Sequence, residues 1–195
     1  QCISAQRVIV EQSVFERFLD AFIGAAKKLK TGDPNDTATD VGTMVSLAAA
    51  QRVMGMLADA EAHGARIALK PQVNGAFVSP GIIVEVPGKA RVLCEEAFGP
   101  IVVVQPARDL EHALEQANDS QFGLQGACFT SSLDTALRIA DDFDCGSVWI
   151  NEASRFRLDM YPFGGVKESG FGREGIRYAM EEYSQLKFVG LRSSR

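Results

Sequence analysis

Apolar positions recur along this chain at two different spacings, and the change from one to the other marks out its elements. RVIV, from Arg7 to Val10, is a β-branched run suited to a buried strand. Directly after it, Val14, Phe15, Phe18, Leu19, Phe22 and Ile23 fall three and four apart, which places them on one helical face. Lys27, Lys28 and Lys30 are expected in the last turn of that helix, where cations suit the dipole, with Gly32 as its stop. The polar stretch DPNDTATDVGT then leads to a second helix from about Ser46 to Ala62, ended by His63 and Gly64.

Beyond that point the period shortens. ARIAL, GAFVSP and GIIVEV read as short strands separated by Pro and Gly breaks. IVVVQPA, Ile101 to Ala107, is apolar on both faces, as a strand inside a parallel sheet would be. DLEHALEQAND then reads as helix, LQGACFT as strand, LDTALRIADDF as helix and GSVWIN as strand. This alternation predicts an α/β fold with a mostly parallel sheet flanked by helices. The end of the chain begins as a helix on Ile176 to Glu182 and changes to alternation from Ser184 to Leu191. Such a terminal strand either closes the domain's own sheet or reaches a neighbouring subunit. The expected division is therefore an α/β domain over 1–182 and a strand and tail over 183–195.

Composition narrows the partners. The net charge is −5 and no Lys/Arg cluster offers an electrostatic footprint for nucleic acid. No apolar run reaches the ~18–20 residues that a membrane span needs. The four cysteines, Cys2, Cys94, Cys128 and Cys145, form no CxxC pair, so neither a metal site nor a disulfide framework is expected. Reduced thiols point to a cytoplasmic compartment. The chain starts without Met and runs at once into an apolar strand, which leads us to expect a piece of a longer protein whose N-terminal part lies outside it.

Three stretches carry candidate chemistry. Cys2 is a nucleophile by residue type, whereas Cys94, Cys128 and Cys145 fall in apolar strand or helix-end settings. CEEAFGP sets two carboxylates ahead of an aromatic and a Gly-Pro turn, where an acid can bond a ribose hydroxyl or move a proton. NEASRFRLDMYPFGG leaves a buried strand as a long loop with Arg155, Arg157 and three aromatics, either a ligand loop or a surface loop anchored by its rings. GFGREG matches the dinucleotide pattern G-x-G-x-x-G letter for letter, but the nearest strand ends near Asn151 and Pro162 intervenes. A glycine-rich structural loop is the better reading.

Together these segments resemble the aldehyde dehydrogenase superfamily, in its C-terminal catalytic half. QCISAQRVIV matches the family's G-Q-x-C segment from the x position onward, aligning Cys2 with the catalytic cysteine and Arg7 with the Arg that follows it. EAFGP matches E-x-F-G-P and aligns Glu96 and Phe98 with residues that touch the nicotinamide ribose and ring. GSVWIN with Asn151, followed by PFGGVKESGFGREG, matches a further signature in which Phe163 aligns with an aromatic of the substrate tunnel.

The resemblance implies the aldehyde dehydrogenase catalytic-domain fold, NAD or NADP as cofactor, and oxidation of a small aldehyde through a cysteine hemithioacetal and thioester. It implies a homodimer or homotetramer built on the C-terminal strand. Asn151, Arg155, Arg157 and Phe163 become the expected substrate-side residues, with the arginines suiting an anionic aldehyde. The family's general-base Glu, its oxyanion Asn and its adenine site lie N-terminal to the cysteine, so these 195 residues alone are expected to be inert. Two rivals remain: a non-enzymatic scaffold or oligomerisation domain, and a thiol esterase or peroxidase. The latter needs a His partner, and His63 and His112 fall in solvated, helix-associated settings.

Overall fold

A four-stranded sheet lies at the centre, and the doubly apolar run at 101–107 is one of its two inner strands. The computed structural model describes residues 1–193. β1 (Arg7–Glu11) leads through a short 3-10 turn into α1 (Phe15–Ala26), followed by α2 (Leu47–Ala62). Next come β2 (Arg66–Leu69), β3 (Val73–Asn74), β4 (Phe77–Val78), β5 (Gly81–Val84), the single-turn α3 (Arg91–Cys94) and β6 (Ile101–Ala107). The second half holds α4 (Leu110–Asn118), β7 (Phe122–Gly123), β8 (Gln125–Cys128), α5 (Leu133–Asp142), β9 (Ser147–Ile150), β10 (Val166–Lys167) and α6 (Ile176–Glu182).

The central sheet runs β1-β6-β5-β2. β6 pairs in parallel with β1 on one side and β5 on the other, and β2 is an antiparallel edge. Alternate side chains of the same strands feed two cores. Ile82, Val84 and Val104 face Phe15 and Leu19 of α1, while Ile83, Val103 and Ile101 face Val53, Met56 and Leu57 of α2. Helices on both faces explain why these strands have no polar side. Burying each large side chain stabilises by about 1.5–3 kcal/mol. The second half carries a separate parallel pair, β8 with β9, and a two-residue antiparallel pair, β7 with β10. The α/β class therefore holds, with the parallel strands divided between two sheets.

Helix starts follow their caps. The hydroxyls of Ser46 and Ser132 and the carboxylate of Asp109 accept from backbone N–H groups of α2, α5 and α4 respectively. One helix stop differs from expectation. α1 ends at Ala26 with Lys27 as its cap, so Lys28 and Lys30 lie beyond it rather than in its last turn. The backbone of Lys30 is bonded instead to the Asp40–Val41 turn, and its N–H donates to the Asp40 carboxylate at 2.8 Å. The terminal segment also differs. From 184 to 193 no strand forms, so the tail does not close the domain's own sheet, and Leu186, Phe188 and Leu191 are fully exposed. Ser194 and Arg195 of the predicted tail lie outside the described residues.

Candidate active site

Cys2 sits on a turn closed by a 3.1 Å hydrogen bond from the Ser4 N–H to the Gln1 carbonyl. The thiol is exposed, and the next side chain, Ile3, is buried. The Ile3 carbonyl accepts from the Ser154 hydroxyl at 2.7 Å, and Ser154 is the buried polar side chain among the described residues. Ser154 belongs to the loop after β9, so a contact between distant parts of the chain anchors the turn that carries Cys2.

Arg7, five residues beyond the thiol, donates to the Gln116 and Asp119 carbonyls at the end of α4. Burial lowers its pKa, and Asp119 opposes that shift. Arg7 thus ties β1 to α4 and caps that helix, where cations are favoured.

The CEEAFGP stretch separates its two acids. Glu95 forms a two-pronged ion pair with Arg91 at 2.8 and 2.9 Å, and hydrogen bonding to that guanidinium lowers its pKa. The Glu96 carboxylate is exposed and has no side-chain hydrogen bond or ion pair among the described residues. Only its carbonyl is engaged, by Arg52 of α2 at 2.8 Å, and the same guanidinium also donates to the Ala97 carbonyl. From the other side Gln6 reaches in. Its amide donates to the carbonyls of Val92 at 2.9 Å and Glu95 at 2.8 Å, and accepts from the Ala97 N–H at 2.8 Å. Phe98 takes φ 45 and is 57% exposed, and a side chain at Gly99 would come within 2.6 Å of Val53. The backbone of this segment is held while the Glu96 and Phe98 side chains face outward.

The loop after β9 is held in another way. Asn151 takes φ 60, a conformation Asn tolerates better than most residues. Its amide accepts from the Thr130 N–H at 2.8 Å and donates to the Thr130 carbonyl at 2.9 Å, so both of its ends are engaged by the fold rather than offered to a ligand. Phe156 and Tyr161 pack on Trp149 with centroids 5.0 and 5.9 Å away. Arg157 lies 4.0 Å over the Phe163 ring and pairs with Glu174 at 3.0 Å. Phe163 is half-buried and bridged to Glu174 through the backbone. Arg155 is exposed and makes no ion pair among the described residues. The arginines expected to act alike are therefore placed differently.

A short strand, β10, ends at Lys167, nearer to GFGREG than the strand ending near Asn151, yet the stretch itself folds as a glycine-rich loop leading into α6. Gly170, Gly172 and Gly175 all take positive φ, and a side chain on Gly146 would run into the Gly164 carbonyl. Cys94, expected in an apolar setting, is exposed like Cys2, while Cys128 and Cys145 are half-buried. Burial raises the Cys128 pKa and pushes Cys145 up to about 11. His63 is bonded to Asp59, and the His112 ring lies between the Arg108 N–H and Gln116; neither bonds a cysteine. Sequence reading passed over Gln6, Arg52 and Ser154. Gln6 stands 91 residues from Ala97, and no local signal marks such a contact.

Comparison with known proteins gives one consistent answer. The family model described as "Aldehyde dehydrogenase family" matches residues 1–189. The 3-sulfolactaldehyde dehydrogenase of Priestia aryabhattai is 36% identical over 97% of this chain and 40% of its own length. A lactaldehyde dehydrogenase of Methanococcus maripaludis is 38% identical over 96% of this chain and 40% of its own. The crystal structure of glyceraldehyde-3-phosphate dehydrogenase GapN from Methanocaldococcus jannaschii, complexed with NADP, superposes with a TM-score of 0.92 at 36% identity, covering 96% of this chain and 41% of that one. The chain thus spans about two fifths of the length of the relatives it matches.

Proposed function

The chain belongs to the aldehyde dehydrogenase family, and on that premise we propose that it is the nucleophile-bearing part of an NAD(P)-dependent enzyme that oxidises an aldehyde to a carboxylic acid. The observation that carries this is an exposed thiol on an anchored turn, joined through β1 to a segment that presents an open carboxylate and an exposed ring.

Cys2 as thiolate attacks the aldehyde carbon, the C–S bond forms, and the carbonyl electrons move to oxygen. The Cys2 N–H makes no hydrogen bond among the described residues and is free to donate to that oxyanion. A free thiol ionises near ~8.5, so attack at neutral pH calls for a base or a lowered pKa. After oxidation the acyl group is a thioester on Cys2, and attack of an activated water releases the acid and the thiol.

The residues at 96–98 fit a nicotinamide dinucleotide. Glu96 carries an unengaged carboxylate suited to ribose hydroxyls, and Phe98 an exposed ring suited to a planar base. The chemistry such a cofactor supplies when bound is acceptance of a hydride. Phe163 would line the substrate path and Asn151 would fix the start of that loop through Thr130.

The substrate fits a small aldehyde bearing an anion, read by Arg155 rather than by Arg157, whose charge faces Glu174. The sulfolactaldehyde relative supports that class. A homodimer or homotetramer would cover Leu186, Phe188 and Leu191. Four free cysteines suit a reducing, cytoplasmic setting, and no described helix is long and apolar enough to cross a membrane.

The test is NAD(P)H formation by the full-length enzyme with Cys2→Ala beside Cys128→Ala. Loss in the first and retention in the second is expected. Substantial turnover by Cys2→Ala would remove the proposed mechanism. If neither wild type nor variants oxidise any aldehyde, a scaffold role, which the exposed apolar tail favours, takes its place.

A further inference from the structure

We propose that Gln6 is a positioning residue that couples the nucleophile's strand to the acid expected to hold the cofactor, an inference that rests on the reading of Glu96 given above. Gln6 lies between Cys2 and β1, at the point where the nucleophile's turn becomes sheet. Its amide makes three hydrogen bonds, and all of them go to the backbone of one short segment: two donated, to Val92 and Glu95, and one accepted, from Ala97. These partners flank Glu96 on both sides.

A side chain serving only to fill space would not need both ends of its amide matched. Gln meets this pattern and its close relatives do not. Glu keeps the acceptor for the Ala97 N–H but would aim a second oxygen at two carbonyls. Leu removes all three bonds at similar size. Asn is one methylene shorter. Arg52 of α2 holds the Glu96 and Ala97 carbonyls from the opposite side. The segment is therefore gripped between the stretch that joins the Cys2 turn to β1 and a helix of the core. The ionisable chains beside it are accounted for: Glu95 with Arg91, Arg52 on the carbonyls, and Glu96 open. Losing Gln6 would free the segment on the thiol side alone. Glu96 would then stay attached to α2 but lose its fixed relation to Cys2.

The experiment uses the full-length enzyme with Gln6→Leu, Gln6→Glu and, as a reference, Glu96→Gln. Three quantities are read: amide hydrogen exchange across 92–98, the Kd for NAD⁺ or NADP⁺ by calorimetry without substrate, and the rate of Cys2 alkylation by iodoacetamide without cofactor. Both Gln6 variants should speed exchange across 95–98 and weaken the cofactor on the order of tenfold, as lost hydrogen bonds of ordinary strength would. Cys2 alkylation should stay within about twofold, since the Ile3–Ser154 anchor remains. Glu96→Gln should weaken the cofactor without changing exchange. If Gln6→Leu folds poorly, Gln6→Glu, of unchanged size, decides the matter. Unchanged exchange in both Gln6 variants overturns the proposal. An unchanged Kd in them, beside a raised Kd in Glu96→Gln, overturns the coupling while sparing the Glu96 reading. An unchanged Kd in all three removes that reading, and this inference with it.

Discussion

Arg157 and Glu174, 17 residues apart on one glycine-rich loop, meet in a 3.0 Å ion pair with the guanidinium stacked over Phe163. The positive charge of Arg157 is thereby matched within the fold. Arg155, two residues earlier, has no such partner among the described residues. Arg155→Ala in the full enzyme should lower kcat/KM for an anionic aldehyde on the order of tenfold, and much less for a neutral aldehyde of equal size. Arg157→Ala should lower both about equally by loosening Phe163. Equal kcat/KM for the two aldehydes in the wild type would remove the anion site.

Glu95 and Glu96 are neighbours in sequence with opposite surroundings. Glu95→Gln removes a surface ion pair with Arg91 and should leave cofactor affinity unchanged. Glu96→Gln should weaken NAD(P)⁺ and slow its reduction. Single-turnover kinetics that find Glu95 the sensitive position would shift the alignment by one residue.

Cys145 gives a pH dependence. Burial pushes its pKa up to about 11 from an ordinary 9.0, so the folded state favours the neutral thiol. Its contribution to stability is therefore fully present below about pH 9 and is lost as pH rises towards about 11, because the unfolded chain ionises first. Cys145→Ser should flatten the fall in melting temperature across that window. At pH 8, iodoacetamide should modify Cys2 and leave Cys145 untouched, as peptide mass spectrometry would show.

The exposed tail is where the proposed subunit contact can be tested. Removing the residues after Glu182 takes away Leu186, Phe188 and Leu191, three exposed apolar side chains. Sedimentation of the trimmed full-length enzyme should then show a smaller assembly. An unchanged mass would place the subunit contact elsewhere.

What could be read in the sequence was local. Ser46 and Asp109 stand directly before apolar-periodic runs and cap their helices as such residues do. The run at 101–104 announced its own burial, because paired neighbours on both edges and helices on both faces favour apolar side chains on either side of the strand. α1 stopped early for a reason outside its own residues: the chain at Lys30 is drawn to Asp40. α3 is a single turn with no room for a period to show. Motif and residue type drew attention to Cys2, Glu96 and Phe163 as candidates. The supports drew none. Asn151 could not be seen to face Thr130, nor Ser154 to hold Ile3, since such pairings form only once distant segments meet.

The pairing of β1 with β6 also sets a clock. Arg7 lies beside Val103, so the strand that follows the Cys2 turn waits for roughly a hundred further residues before its sheet neighbour exists. At a synthesis rate of about 5–20 residues per second, that delay is about 5–20 s. During it, Val8, Ile9 and Val10 have no ladder to join, and a β-branched segment left unpaired on the ribosome is a natural target for a chaperone. A burden on nascent-chain quality control is thus attached to the strand that directly follows the Cys2 turn. Substitutions in β6 that delay pairing should reduce the yield of soluble enzyme more than they reduce the activity of the molecules that mature.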